Sequence, residues 1–207
     1  MARTAGSDGA RTAAAIRDAA VALIARHGFE GVSMRRLAEE VGVQAGALYR
    51  YFPTKQALLG SMMREHMRHL LDQWRAVRPG CASPEAELET FVRFHVRYHI
   101  IRRDEVFINY MELRSLDPEA ASRIVALRKE YEGELRAILR RGVAAGAFSI
   151  PDVPVAGMAL IAMLTGVTTW RKAEGRLSVA QIEDIYVAMA LSAVGVSQGA
   201  HTCSTPA

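Results

Sequence analysis

The chain of 207 residues is half hydrophobic, 23% charged and formally +4, a balance that fits a soluble, mostly helical protein with one small and one larger domain. Its two cysteines, Cys81 and Cys203, have no second cysteine or histidine at metal-ligand spacing, which excludes a metal cluster built on them and fits reduced thiols in the cytoplasm. The N-terminus, MARTAGSDGARTAAA, does not read as a secretory signal, and residues 1–78 carry 12 basic and 7 acidic side chains against 14 and 15 in residues 79–207, a modest excess that sits at the N-terminal end and is compatible with an anionic partner without requiring one.

Residues 1–10 are small and polar and read as a disordered arm. The first helix, Arg11 to His27, places Ile16, Ala20, Leu23 and Ile24 on one face. After Gly28, the stretch GVSMRRLAEEVGVQAGALYRYFPTK reads as two short helices joined by a tight turn. Met34, Leu37, Ala38 and Val41 fall at i, i+3, i+4 and i+7, and Ser33 is placed to cap the amides that open their helix. Gly42 ends it, because glycine takes the left-handed conformation at no steric cost. The next helix begins near Gln44. Its apolar Ala47, Leu48 and Phe52 dock inward, which leaves Gln44, Ala45, Gly46, Tyr49 and Arg50 facing out. Small residues at a helix N-terminus let a backbone approach a DNA duplex, a glutamine amide reads base edges, and tyrosine hydroxyls and a lysine hold phosphates. Equally, Tyr49, Tyr51 and Phe52 are residues that a helical core uses.

Pro53 and Thr54 start a long helix to Val77, which Arg78-Pro79-Gly80 breaks. Ser83-Pro84-Glu85 opens a helix to about Arg102, and a short helix covers Asp104 to Arg114. Asp117-Pro118-Glu119 launches another to about Ala145, and Gly146 and Pro151 end that run. Val153 to Trp170 is an 18-residue stretch without a charge, the lower limit for a membrane span. Its prolines, glycines and threonines, and the lack of a second such segment, favour instead a helix buried on two sides, one of them a partner subunit; no membrane is expected. Ser178 and Gln181 form a capping box for the last helix, which carries Ile182, Ile185, Tyr186 and Met189 on one stripe. The expected fold is therefore all-α with about nine helices, and residues 197–207 read as a loose tail.

In Gly28, Ser33-Met34-Arg35, Leu37-Ala38, Gly42-Val43 and Leu48-Tyr49-x-Tyr51-Phe52-x-x-Lys55 the sequence resembles the TetR family of bacterial transcriptional regulators. The resemblance implies a three-helix, helix-turn-helix DNA-binding domain over residues 11–56 and a larger helical ligand-binding and dimerisation domain over 57–196. It implies that Ser33, Arg35, Tyr49, Tyr51 and Lys55 hold the DNA backbone and that Gln44, Ala45 and Gly46 meet bases. Many members have Ser or Thr where this chain has Gln44 and Ala47, so its operator is its own. The last two helices, Asp152 to Arg171 and Val179 to Val194, are implied to pair with their mates in a homodimer through Ala159, Ala162, Gly166, Ile185 and Met189. Such a dimer reads two half-sites about one helical turn apart, roughly 34 Å.

The middle helices are expected to hold a ligand among Phe94, His95, Tyr98, His99, Phe107, Tyr110 and Met111, with Trp74 at the far end of the linking helix; many of these are also ordinary core residues. His95 and His99 sit at i, i+4, yet no third ligand accompanies them, and neither a metal nor a cofactor is expected. The segments ELRSLDPEAASRIVALRKEYEGELRAILRRGVAAGAF and TTWRKAEGRLS are similar to a TetR subgroup that responds to acyl-CoA thioesters, which implies that Arg114, Tyr131 and Trp170 lie near the pocket. That subgroup often has a second tryptophan where this chain has Gly166. Arg102, Arg103, Arg140 and Arg141 are candidates for an anionic head group, or else solvated helix-end charges. The resulting expectation is a repressor released from a palindromic, double-stranded operator by an acyl-CoA or similar amphipathic effector. The alternatives are a drug-sensing regulator of an efflux pump and, more remotely, a small helical enzyme. An enzyme is not expected, since no nucleophile with a paired base, phosphate loop or carboxylate pair stands out.

Overall fold

The computed structural model describes residues 5–78, 80, 83–172 and 174–196. Among them the chain is helical, with no strand: α1 Ala5–His27, α2 Met34–Val41, α3 Ala45–Tyr51, α4 Lys55–Val77, α5 Pro84–Ile101, α6 Arg103–Met111, α7 Pro118–Ala144, α8 Val153–Thr165, α9 Val167–Trp170 and α10 Val179–Ala193, with a 3-10 turn at Leu113–Ser115. Cys81, Cys203, residues 1–4 of the expected arm and the expected tail lie outside the described residues.

Three boundaries differ from the sequence reading. α6 ends at Met111 rather than Arg114, where the chain tightens into the 3-10 turn. α1 begins at Ala5 rather than Arg11: no proline interrupts residues 5–10, and a helix nucleated further along propagates one bond per added residue. The apolar stretch from Val153 to Trp170 is divided into α8, of 13 residues, and α9, of 4. Threonines cause the division, since Thr168 Oγ1 donates to the Thr165 carbonyl and Thr169 Oγ1 to that of Gly166, competing with the helical ladder. By length and composition Val153–Trp170 is long and apolar enough to cross a membrane, and the turn at Gly166 interrupts it.

The described residues pack as two units, those within 5–70 and 102–128 and those within 71–101 and 129–196. In the first unit α1 packs on α2 and on α6, and α2 packs on α3. Its core is the apolar face that the periodicity marks, Ile16, Ala20, Leu23, Ile24, Met34, Leu37, Ala38 and Leu48, joined by Leu58, Leu59, Met63 and Ile108. Each such Leu or Ile contributes about 1.5–3 kcal/mol on burial.

In the second unit α5 is central, packing on α8, α9 and α10. Leu88, Phe91, Val92 and Val96 of α5 are fully buried, as are Leu135 and Leu139 of α7, Leu164 of α8 and Ala190 of α10. Arg97 reaches across to Glu183 with two bonds of 2.7 and 2.9 Å, and that carboxylate is only 2% exposed. The carboxylate raises the Arg97 pKa above its ordinary value by hydrogen bonding and by charge. At the end of α7 the chain folds back so that Phe148 N–H donates to the Gly142 carbonyl at 3.1 Å and its ring lies over Gly142.

Candidate DNA interface and ligand-binding residues

The helix-turn-helix is built from short-range bonds. Ser33 is extended (φ −94°, ψ 152°), and its Oγ accepts from the Arg36 N–H at 3.1 Å, capping α2. Gly42 adopts φ 72°, and the Val43 N–H reaches back to the Ala38 carbonyl at 2.9 Å, closing α2 with a left-handed turn. Gln44 then opens α3 with backbone bonds alone: its carbonyl accepts from Ala47 and Leu48, while its side chain makes no cap bond and is exposed. The carboxamide is thereby left for a partner.

Leu48 and Phe52 are buried and anchor α3 inward, and Tyr49 and Tyr51 are 49% and 36% exposed. The outward positions thus carry Gln44, Gly46, Tyr49 and Arg50, with Ala45 half-buried beside them. A Cβ placed on Gly46 would meet nothing within 4 Å. Arg35 is exposed and bonds Glu39 at 3.1 Å on the same turn of α2. Lys55, at the start of α4, holds its ammonium 4.1 Å from the centre of the Phe29 ring and 3.9 Å from Glu30. Of the residues expected to hold the DNA backbone, Ser33, Arg35, Tyr49 and Tyr51 are exposed and Lys55 is half-buried.

The eleven expected ligand residues separate into two sets. Trp74, Phe94, His95, Tyr98, His99, Tyr131 and Trp170 belong to the second unit. Trp74 is fully buried, edge-on to Phe91 at 5.0 Å and 5.7 Å from Phe94, and donates Nε1–H to Glu134 at 3.2 Å. Phe91, which stacks on Tyr131 at 5.3 Å, is the hub of this cluster. His95 and His99 stack nearly parallel at 3.7 Å instead of converging on a shared point. His95 Nδ1 lies 3.1 Å from Tyr131 Oη and Nε2 3.2 Å from Thr165 Oγ1, while His99 Nδ1 lies 2.8 Å from the His95 carbonyl and donates to it. Burial lowers both histidine pKa values, His99 to about 4 and His95 well below 6.5, so both are neutral at pH 7. Trp170 is half exposed and stacks on Tyr186, whose hydroxyl accepts its indole N–H at 3.2 Å.

Phe107, Tyr110, Met111 and Arg114 belong to the first unit and are exposed. Tyr110, Met111 and Arg114 line an open depression of about 590 Å³ with Leu113, Leu116, Pro118 and Ala121. Arg128 lies over the Tyr110 ring, 5.0 Å from its centre. Of the arginines proposed for an anionic head, Arg102 bonds Glu105 at 3.0 Å and Arg141 bonds Glu87 at 2.6 Å. On α8 and α10, Val155, Met158, Ala159, Ala162, Ile185 and Met189 are exposed, while Gly166 is half-buried.

Residues 16–62 match the family described as bacterial regulatory proteins, tetR family, and residues 81–194 match the tetracyclin repressor-like C-terminal domain. The chain belongs to the TetR family. It is thus one of a family of helix-turn-helix DNA-binding repressors and not an enzyme. Over 188 residues it is 27% identical to the HTH-type transcriptional repressor KstR2 of Mycolicibacterium smegmatis, covering 87% of this chain and 89% of that one. Over 157 residues it is 27% identical to the fatty acid metabolism regulator protein of Bacillus subtilis, covering 75% and 81%. The structure of AibR in complex with isovaleryl coenzyme A and operator DNA is similar with a TM-score of 0.79 and 27% identity, covering 86% of this chain and 97% of that one.

One residue of this TetR-family chain escaped the sequence reading. Glu112 accepts from the Phe29 backbone N–H at 3.0 Å and from Ser115 Oγ–H at 3.0 Å. Its partner lies 83 residues away, and no local pattern signals the pairing.

Proposed function

We propose that this protein is a homodimeric, cytoplasmic repressor that holds a near-palindromic operator and releases it when an acyl-CoA or similar amphipathic metabolite binds. The observation that carries the DNA reading is the outward face of α3. An uncommitted glutamine side chain, an unobstructed glycine and an exposed tyrosine stand in one short helix that both neighbouring turns hold rigid. The exposed apolar residues of α8 and α10 support dimerisation through these helices, as a self-complementary two-fold contact needs. Support for the effector class comes from the AibR complex with isovaleryl coenzyme A and from the relative named as a fatty acid metabolism regulator.

The experiment is in two steps. A duplex is selected from a random pool with the purified dimer, and its release is followed by fluorescence anisotropy against acyl-CoA thioesters, the matching free acids and CoA alone. Release by thioesters only supports a site that requires head and tail together. A tenfold loss of DNA affinity corresponds to about 1.4 kcal/mol of coupling between the two sites. Release by cationic dyes, with no response to any thioester, would move the assignment to a drug sensor. Native mass spectrometry of the purified dimer identifies a co-purifying ligand independently.

A further inference from the structure

Glu112 closes α6 at the point where the chain enters the 3-10 turn Leu113–Ser115, and its carboxylate serves two elements at once. One oxygen accepts from Phe29 N–H and the other from Ser115 Oγ–H, each at 3.0 Å. Phe29 directly follows Gly28, whose φ of 72° turns the chain out of α1. Gly28 N–H still returns to the Ile24 carbonyl at 2.8 Å, but the next amide, Phe29 N–H, lies just past the end of α1 and is satisfied by the carboxylate of Glu112 at the C-cap of α6. On its other side the Phe29 ring is buried and carries the Lys55 ammonium 4.1 Å above its centre. The same short loop, residues 28–32, runs directly into the Ser33 cap of α2.

We infer that Glu112 is a positioning residue for operator binding: by holding the Phe29 amide it fixes the loop that places both Lys55 and the start of α2 against the DNA backbone. This rests on the DNA reading above and adds to it a residue remote from the duplex.

Charge alone predicts the opposite outcome, which makes the test discriminating. Removing an acid from a DNA-binding unit weakens its repulsion of phosphates and should tighten binding. The full-length dimer is compared as wild type, Glu112→Gln and Glu112→Leu on the duplex selected with wild type and on an unrelated duplex. Glutamine keeps a carbonyl for Phe29 N–H and an amide donor for the Ser115 oxygen, whereas leucine keeps neither. Glu112→Leu should weaken both duplexes by about tenfold per active dimer, with active fraction fixed by stoichiometric titration, and Glu112→Gln should bind within about threefold of wild type. Hydrogen exchange of the Phe29 amide should accelerate in the leucine variant and stay slow in the glutamine variant. A purely structural role would lower the melting temperature and the active fraction while leaving the Kd of active dimer unchanged, and that result overturns the proposal. Unchanged Phe29 exchange in the glutamine variant, with DNA binding lost tenfold, also overturns it. Failure of wild type to select or bind any duplex would instead remove the DNA reading itself.

Discussion

Gly46 separates folding from recognition at a single residue. A methyl group there meets nothing within 4 Å, so Gly46→Ala should fold at least as well as wild type, with a gain of up to about 1 kcal/mol from lower unfolded-chain entropy. Operator affinity should nevertheless drop, since the methyl group occupies the space into which a base edge approaches; thermal denaturation and anisotropy on the same preparation measure the two effects. Gln44 and Lys55 divide in another way. Gln44→Ala should change the ranking among single-base variants of the selected duplex, whereas Lys55→Ala should weaken all of them and lower the slope of log affinity against log salt by about 0.9. An unchanged ranking in Gln44→Ala would remove that residue from base reading. Ser33 and Gly42 were legible in the sequence because their roles are local, a cap that accepts from an amide three residues on and a turn that favours glycine. Glu112 was not, because its role depends on a partner brought close only by the packing of α1 on α6.

Among the elements, amphipathic α1 and α2 could be placed from periodicity, and α4, α5, α7 and α10 from their caps and breaks. The division of α8 from α9 was not, since the threonine bonds responsible depend on rotamers that sequence does not specify. Ala162 lies on the exposed face of α8. Ala162→Arg should leave the subunit folded and abolish the dimer, read by analytical ultracentrifugation at micromolar concentration; a wild type that sediments as a monomer would sink the proposed assembly. Gly142 in α7 has the contrary character. A Cβ there would stand 1.9 Å from the Phe148 ring, so Gly142→Ala should displace the ring and destabilise the fold by about 1–3 kcal/mol, measured by chemical denaturation. Helix propensity alone would predict a gain from the same change.

For the molecule as a whole, the stacked histidines set a response to acid. Both have folded-state pKa values lowered by burial, His99 to about 4, so below pH ~6.5 the unfolded chain binds protons that the folded chain refuses. Their contribution to stability is complete above pH ~6.5 and is lost as pH falls toward 4, at up to about 1.4 kcal/mol per pH unit for each histidine. Urea denaturation at pH 7.5, 6.0 and 5.0 should show that decline, and His99→Leu should flatten it; an equal slope in wild type and variant would show that other groups govern the response. The aromatic residues expected around a ligand were recognisable as a cluster from composition. Their separation into a set packed around Phe91, an exposed set on α6 and a half-exposed Trp170 stacked on Tyr186 was not, because consecutive helices contribute to different packing units.

That the first packing unit joins residues 5–70 to 102–128 bears on how this regulator can be re-engineered. Chimeras that give a new sensor a borrowed DNA-reading head are most simply spliced after the third helix, near residue 56. Such a splice takes Phe29 and discards Glu112, so the graft loses the acceptor for the amide just past its first helix unless the recipient supplies one. The transferable module is written in two places in the gene, and a working exchange has to carry the α6 segment along with the head.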